Sequence, residues 1–107
     1  MKPDVLEAFL KVLADRRRLR LLLEVYRRRG EPPSGAVPFA DLCEAAGLSR
    51  QQAINHLDAL HRVELIWADR APWNRRTFHL TGGVLRGLVV EVCRVLEGQG
   101  NARPSRE

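Results

Sequence analysis

The sequence predicts a mainly helical domain with one small β-hairpin. Two observations predict it. Apolar residues recur at helical spacing through most of the chain, and between about residues 64 and 81 the period shortens to that of strands around a Pro/Asn turn. A third observation fixes the scale: 107 residues is one domain, with one modest core that a second subunit would help to cover.

The elements follow in order. Asp4 to Ala14 reads as a helix, with Val5, Phe9, Val12 and Leu13 at helical spacing and Pro3 where its missing N–H costs little. Asp15 reads as the N-cap of a second helix that runs to about Arg29, with Leu19, Leu22, Leu23 and Tyr26 inward and Gly30 as its stop. Residues 31–38, rich in Pro, Gly and Ser, form a loop. Val37 to Phe39 suits a short strand that Pro38 restricts to a sheet edge.

Ala40 to Ala46 is a short helix, and Gly47 has the place and type of a left-handed terminator. Ser49 then opens a helix reaching about Arg62, with Gln52 completing a capping box and Ala53, Leu57 and Leu60 inward. Glu64–Asp69 and Arg76–Thr81 read as strands around a turn at Ala71–Asn74, with Trp67 and Phe78 assigned to the core. Gly82 and Gly83 end the second strand. Val84–Glu97 is a last helix with a broad apolar stripe, and residues 98–107 (GQGNARPSRE) read as a flexible polar tail. The domain therefore spans residues 1–97, in the order α-α-β-α-α-β-β-α, the layout of a winged helix-turn-helix.

The segment DLCEAAGLSRQQAINHLDAL, residues 41–60, carries the functional signal. A helix-turn-helix needs a small residue at its crossing, here Cys43, and a glycine in its turn, here Gly47. Its second helix keeps a polar outer face of Arg50, Gln51, Gln52, Asn55 and Asp58. Gln and Asn can bond adenine in two places and Arg can bond guanine so, while the helix N-terminus favours a phosphate. An ordinary helix pair with a solvated polar face looks similar. The hairpin tip DRAPWNRRTFHL adds Arg70, Arg75 and Arg76 around Trp73, a basic wing suited to the sugar–phosphate backbone or minor groove. The alternative for Trp73 is a ring folded back on the hairpin or body. Arg16, Arg17 and Arg18 open the second helix against its dipole, which phosphate contact would explain and a solvated charge face would too.

The net charge of +5 favours a polyanion, and nearly all the positive charge is arginine, which suits phosphate and equally suits a GC-rich genome. Cys43 and Cys93 are far apart in helical patterns, and His56, His61 and His79 have no ligand partner at good spacing. No disulfide, metal or cofactor is expected. No nucleophile–base pair or phosphate loop stands out, so the chain reads as non-enzymatic. The opening MKPDVLEAF lacks the apolar stretch of a signal peptide, and the expected location is cytoplasmic.

Two stretches resemble the ArsR family of winged-helix repressors: FLKVLADRRRLRLLLEV, a helix followed by an Asp-capped one with an Arg-Leu-Arg run, and GLSRQQAINHLDALHRVELI, like the family's recognition helix and first wing strand. MarR-type repressors share the general layout. The resemblance spans about residues 5–97 and implies a homodimer through the first and last helices, here Val5, Phe9, Val12, Leu85, Leu88, Val89, Val92 and Leu96. It implies a palindromic duplex DNA operator with recognition helices about one turn apart. By position it places Ser49, Arg50, Gln51, Gln52, Asn55 and His56 on DNA. The chain departs from the family's metal sensors. Pro38 and Ala40 stand where those carry a Cys-x-Cys pair, and residues 84–97 contain neither His nor Asp. The inducer is left unnamed. Two other readings of the same residues are a protein-interaction module using Trp73 and the last helix, and an RNA-binding winged helix.

Overall fold

The computed structural model describes residues 2–30, 35–81 and 86–101. Helix α1 (Pro3–Leu13) starts with Pro3 in its first turn, where no N–H partner is lost. Phe9 and Leu13 are buried, while Val5, Leu6 and Leu10 are exposed. Helix α2 (Arg16–Arg27) is capped as expected: the Asp15 carboxylate accepts from the N–H of Arg17 at 2.8 Å and of Arg18 at 3.4 Å. Leu21, Leu22, Val25 and Tyr26 are buried along it, with Leu19 and Leu23 only partly covered. The inward face is thus rotated from the expected one. Helix α2 is the hub, packing on α1 and on every later helix, so apolar residues serve it on more than one side.

Strand β1 (Val37–Pro38) is an edge, as Pro38 requires, in a three-stranded antiparallel sheet ordered β1-β3-β2. Phe39 belongs to α3 (Phe39–Ala46) rather than to the strand, and its N–H bonds the Arg76 carbonyl at 3.0 Å. Gly47 ends α3 at φ 66°, and the N–H of Leu48 reaches back to the Cys43 carbonyl at 3.0 Å. Helix α4 (Arg50–Arg62) opens on the expected capping box. Ser49 Oγ accepts from the Gln52 N–H at 3.2 Å, and Gln52 Oε1 accepts from the Ser49 N–H at 3.0 Å. Ala53, Leu57 and Leu60 are fully buried.

The hairpin strands β2 (Ile66–Ala68) and β3 (Thr77–Leu80) pair with Trp67 opposite His79. Both are shorter than expected: at the tip Pro72 leads into a 3₁₀ turn at Trp73–Arg75, and at the other end Glu64, at φ 60°, stands outside the strand. Phe78 is buried as expected, but the assignment of Trp67 to the core is wrong: its side chain is 58% exposed. Ile66 takes the core face of β2, and the strict alternation of a strand sends Trp67 to the other side.

Helix α5 (Arg86–Asn101) continues past Gly98, so the expected end at Glu97 falls inside it. Gly98 weakens a helix by about 1 kcal/mol but does not stop one. The expected start at Val84 and residues 102–107 lie outside the described residues. Cys93 is in the core, where burial pushes its thiol up to about 12, the behaviour of an inert packing residue. Among the described residues no helix is long and apolar enough to cross a membrane.

Candidate nucleic-acid interface

The capping box gives α4 an ordered first turn. Beyond it, Gln51, Asn55, Asp58 and Arg62 form one row at three- and four-residue spacing. Gln51 Nε2 donates to Asn55 Oδ1 at 3.1 Å, and Arg62 donates to Asp58 Oδ2 at 2.8 Å. Gln51 and Asn55 are both exposed, so their remaining amide groups are free to meet a base edge in an already restricted geometry. Ser49 and Arg50 are also exposed. The Arg50 guanidinium lies 6.0 Å from the Phe39 ring centre.

Two expected contact residues have other duties. Gln52 spends its carbonyl oxygen on the cap. His56 is half-buried and turns toward α2, where its Nδ1 accepts from Arg18 Nε at 3.1 Å. Arg18 also reaches the Val12 carbonyl at 3.4 Å. Burial holds His56 below the usual histidine range, with Arg18 and Arg17 acting in the same direction and Asp15 against them. Spacing alone could not reveal this pair, since its members are 38 residues apart. Arg16 and Arg17 are exposed beside it.

The wing tip is a built loop. Asp69 accepts from Thr77 Oγ1 at 2.8 Å and from the Ala71 N–H at 3.1 Å. These bonds keep its carboxyl below the ordinary aspartate value. The Trp73 ring folds back on the body, 5.4 Å from the Phe39 ring and 6.0 Å from Phe78. Arg76 stacks on that ring at 4.2 Å, and its Nε donates to the Ala71 carbonyl at 2.9 Å. It is therefore partly a clamp of the tip, whereas Arg70 and Arg75 are exposed. Helix α4 and the hairpin lie side by side through α4–β2 packing.

The residues expected at a subunit interface divide. Val5 and Leu88 are exposed, and Val12, Val92 and Leu96 are half-buried. Phe9 and Val89 are buried in the chain's own core, so they support a face and do not form it. Leu85 lies outside the described residues. Leu6, Leu10 and Val95, not anticipated, are exposed on the same two helices. Their positions were within reach of the pattern, since a helix with apolar residues beyond one stripe has a second face to cover.

No protein-family model matches the chain, and no curated protein matches it. Solved structures do. A homodimeric winged helix-turn-helix DNA-binding domain from Mycobacterium bovis, a possible ArsR-family transcriptional regulator, superposes with a TM-score of 0.69 at 24% identity, over 90% of this chain and 82% of that one. Reduced HlyU from Vibrio cholerae gives 0.68 at 18% identity, over 94% and 92%. MepR from S. aureus, solved in complex with DNA, gives 0.62 at 16% identity, over 90% and 74%. The chain has the winged helix-turn-helix fold.

Proposed function

We propose that this chain is a sequence-specific duplex DNA-binding transcriptional regulator, a homodimeric repressor of ArsR type. One observation carries the reading: a capped α4 presents the linked Gln51–Asn55 pair outward, beside a hairpin whose tip exposes Arg70 and Arg75. Amides in the major groove supply sequence choice, and guanidiniums on the strand alongside supply affinity. Ser49 and Arg50 would flank the amide pair, with Arg16 and Arg17 reaching phosphates from the start of α2. The domain that does this is residues 1–97, helped by the remainder of α5. The role is binding, not catalysis, and it belongs in the cytoplasm.

The apolar residues left open on α1 and α5, both of which pack on α2, support the dimer reading. The M. bovis domain with this fold is itself homodimeric, and MepR is solved on DNA, which supports both halves of the reading. A two-fold pair reads a palindromic operator. The protein-interaction alternative loses one anchor, since Trp73 is tucked against Phe39 and Phe78.

The test is selection of genomic fragments by the purified protein at physiological salt, followed by anisotropy titrations over a salt series. Enrichment of a palindromic site, with affinity falling steeply as salt rises, is expected. Retention of no fragment even at low salt would sink the proposal, and preference for structured RNA over duplex would replace it.

A further inference from the structure

Arg18 joins three helices. Its backbone belongs to the first turn of α2, its Nη1 donates to the Val12 carbonyl near the end of α1, and its Nε donates to His56 Nδ1 on α4. His56 follows Asn55, which is exposed, and precedes Leu57, which is fully buried. It stands on the flank between the core face of α4 and its outer row. A hydrogen bond there fixes the rotation of α4 about its own axis, which the non-directional burial of Ala53, Leu57 and Leu60 holds less tightly. Rotation matters to base reading, because hydrogen bonds to base edges weaken steeply with angle. It matters little to the attraction between arginines and phosphates.

The tie depends on charge. Only an imidazole with no proton on Nδ1 can take it, and that form carries its proton on Nε2. The charged groups that act on His56 are Asp15, Arg17 and Arg18, all at the start of α2. Helix α1 reaches the pair through the uncharged Val12 carbonyl, and β2 carries no charged residue. On α3, Asp41 is held by Arg28 and Glu44 is exposed, while Asp58 of α4 is held by Arg62. Among the described residues both hydrogen bonds at Asp15 fall on Oδ1, which leaves Oδ2 open to an imidazolium.

We propose that Arg18 is a positioning residue that seats α4 for sequence reading through a neutral His56, and that protonation passes the imidazole to Asp15 and loosens the hold on the operator at mildly acid pH. The proton comes from solvent and returns to it, so the device is reversible. Charge alone predicts the opposite sign, since a cation added near Arg16 and Arg17 strengthens attraction to any duplex. The effect on the operator rests on the DNA-binding reading; the change of partner at His56 does not.

The test is anisotropy on the full chain between pH 8 and pH 5 at fixed salt, with the palindromic fragment selected from the genome and a scrambled duplex of equal composition. The ratio of the two affinities should hold down to about pH 6.5 and then fall by about tenfold or more, while affinity for scrambled duplex holds or rises. His56→Asn keeps an acceptor for Arg18 and does not titrate, so its ratio should stay at the pH 8 level. His61 and His79 remain in that variant, so any pH dependence left belongs to them. Arg18→Met should lower the ratio at pH 8 and make it insensitive to pH. Far-UV dichroism at each pH shows that the variants are folded. Imidazole nitrogen shifts of His56 should show Nε2–H with a bare Nδ1 at pH 8 and a second proton arriving as pH falls. A parent ratio that stays flat or rises toward pH 5 overturns the proposal, as does an equal fall in His56→Asn or an Nδ1–H imidazole at pH 8. A protein that binds no duplex at any pH removes the DNA reading and the operator half with it; one that prefers the palindrome equally at pH 8 and pH 5 keeps that reading and removes the switch.

Discussion

Arg18 of α2 donates through Nε to the Nδ1 of His56 on α4 at 3.1 Å, a direct polar tie between the helix at the centre of the fold and the helix proposed to enter DNA. The bond needs a neutral imidazole, because protonated Nδ1 is a donor and cannot accept. Asp15, which caps α2, is close enough to attract a His56 cation, while Arg17 and Arg18 repel it.

Stability should therefore fall as pH drops through the mid-range. The His56 value is lowered in the folded state, chiefly by burial, so below about pH 6.5 the unfolded chain binds the proton first. The contribution is complete above the unfolded value and is lost as pH falls from there toward the folded one. Asp15 and Asp69 are also lowered, Asp15 because its burial is more than offset by N–H bonds from Arg17 and Arg18 together with the charges of His56 and Arg18, and their losses begin only at acid pH. Thermal melts between pH 8 and pH 5 should show Tm declining below about pH 6.5. His56→Asn, whose amide oxygen can accept from Arg18, should flatten that decline. An unchanged slope in the variant would remove His56 as its source.

Substitutions on the two proposed DNA surfaces should differ in kind. Gln51→Ala or Asn55→Ala should cost about 1–3 kcal/mol on the preferred site and little on random duplex, so sequence choice relaxes. Arg75→Ala should weaken all sequences alike and reduce the salt slope by about 1. Arg76→Ala should in addition loosen the tip, since Arg76 clamps Trp73 and Ala71. Anisotropy titrations on specific and scrambled duplexes at several salt concentrations separate the two patterns.

Backbone conformation gives a third prediction. Gly47 has φ 66° with open space where a Cβ would go, so Gly47→Ala costs only the left-handed backbone, about 1–2 kcal/mol. Gly35, at φ 73°, would place a Cβ against the Arg29 carbonyl, and Gly35→Ala should cost clearly more. Glu64 occupies the same region at φ 60° without being glycine, and Glu64→Gly should gain up to about 1 kcal/mol. Urea melts should rank Glu64→Gly above the parent, Gly47→Ala below it and Gly35→Ala lowest.

Local chemistry was legible in the sequence and long-range chemistry was not. The Asp15 cap, the Ser49–Gln52 box, the Gly47 terminator and the edge placement of Pro38 each depend on residues within a few positions, and each is present as expected. Trp67 was misassigned because alternation says that a strand has two faces but not which one the core takes. The turning of His56 toward Arg18, and the burial of Phe9 and Val89, depend on how helices pack on α2, which no local pattern encodes.

That packing bears on the last prediction. Val5, Leu6 and Leu10 on α1, and Leu88 and Val95 on α5, remain 40–57% exposed while their neighbours Phe9 and Val89 are buried. A charge at an exposed position leaves the subunit's core intact but must be desolvated if two copies meet there. Leu10→Glu and Leu88→Glu should each shift the protein toward monomer in sedimentation velocity, with helical content retained. Affinity for a palindromic duplex should then fall toward that for a half-site, because the second recognition helix is no longer tethered. Variants that sediment like the parent would place the dimer contact elsewhere and leave the palindrome without a basis.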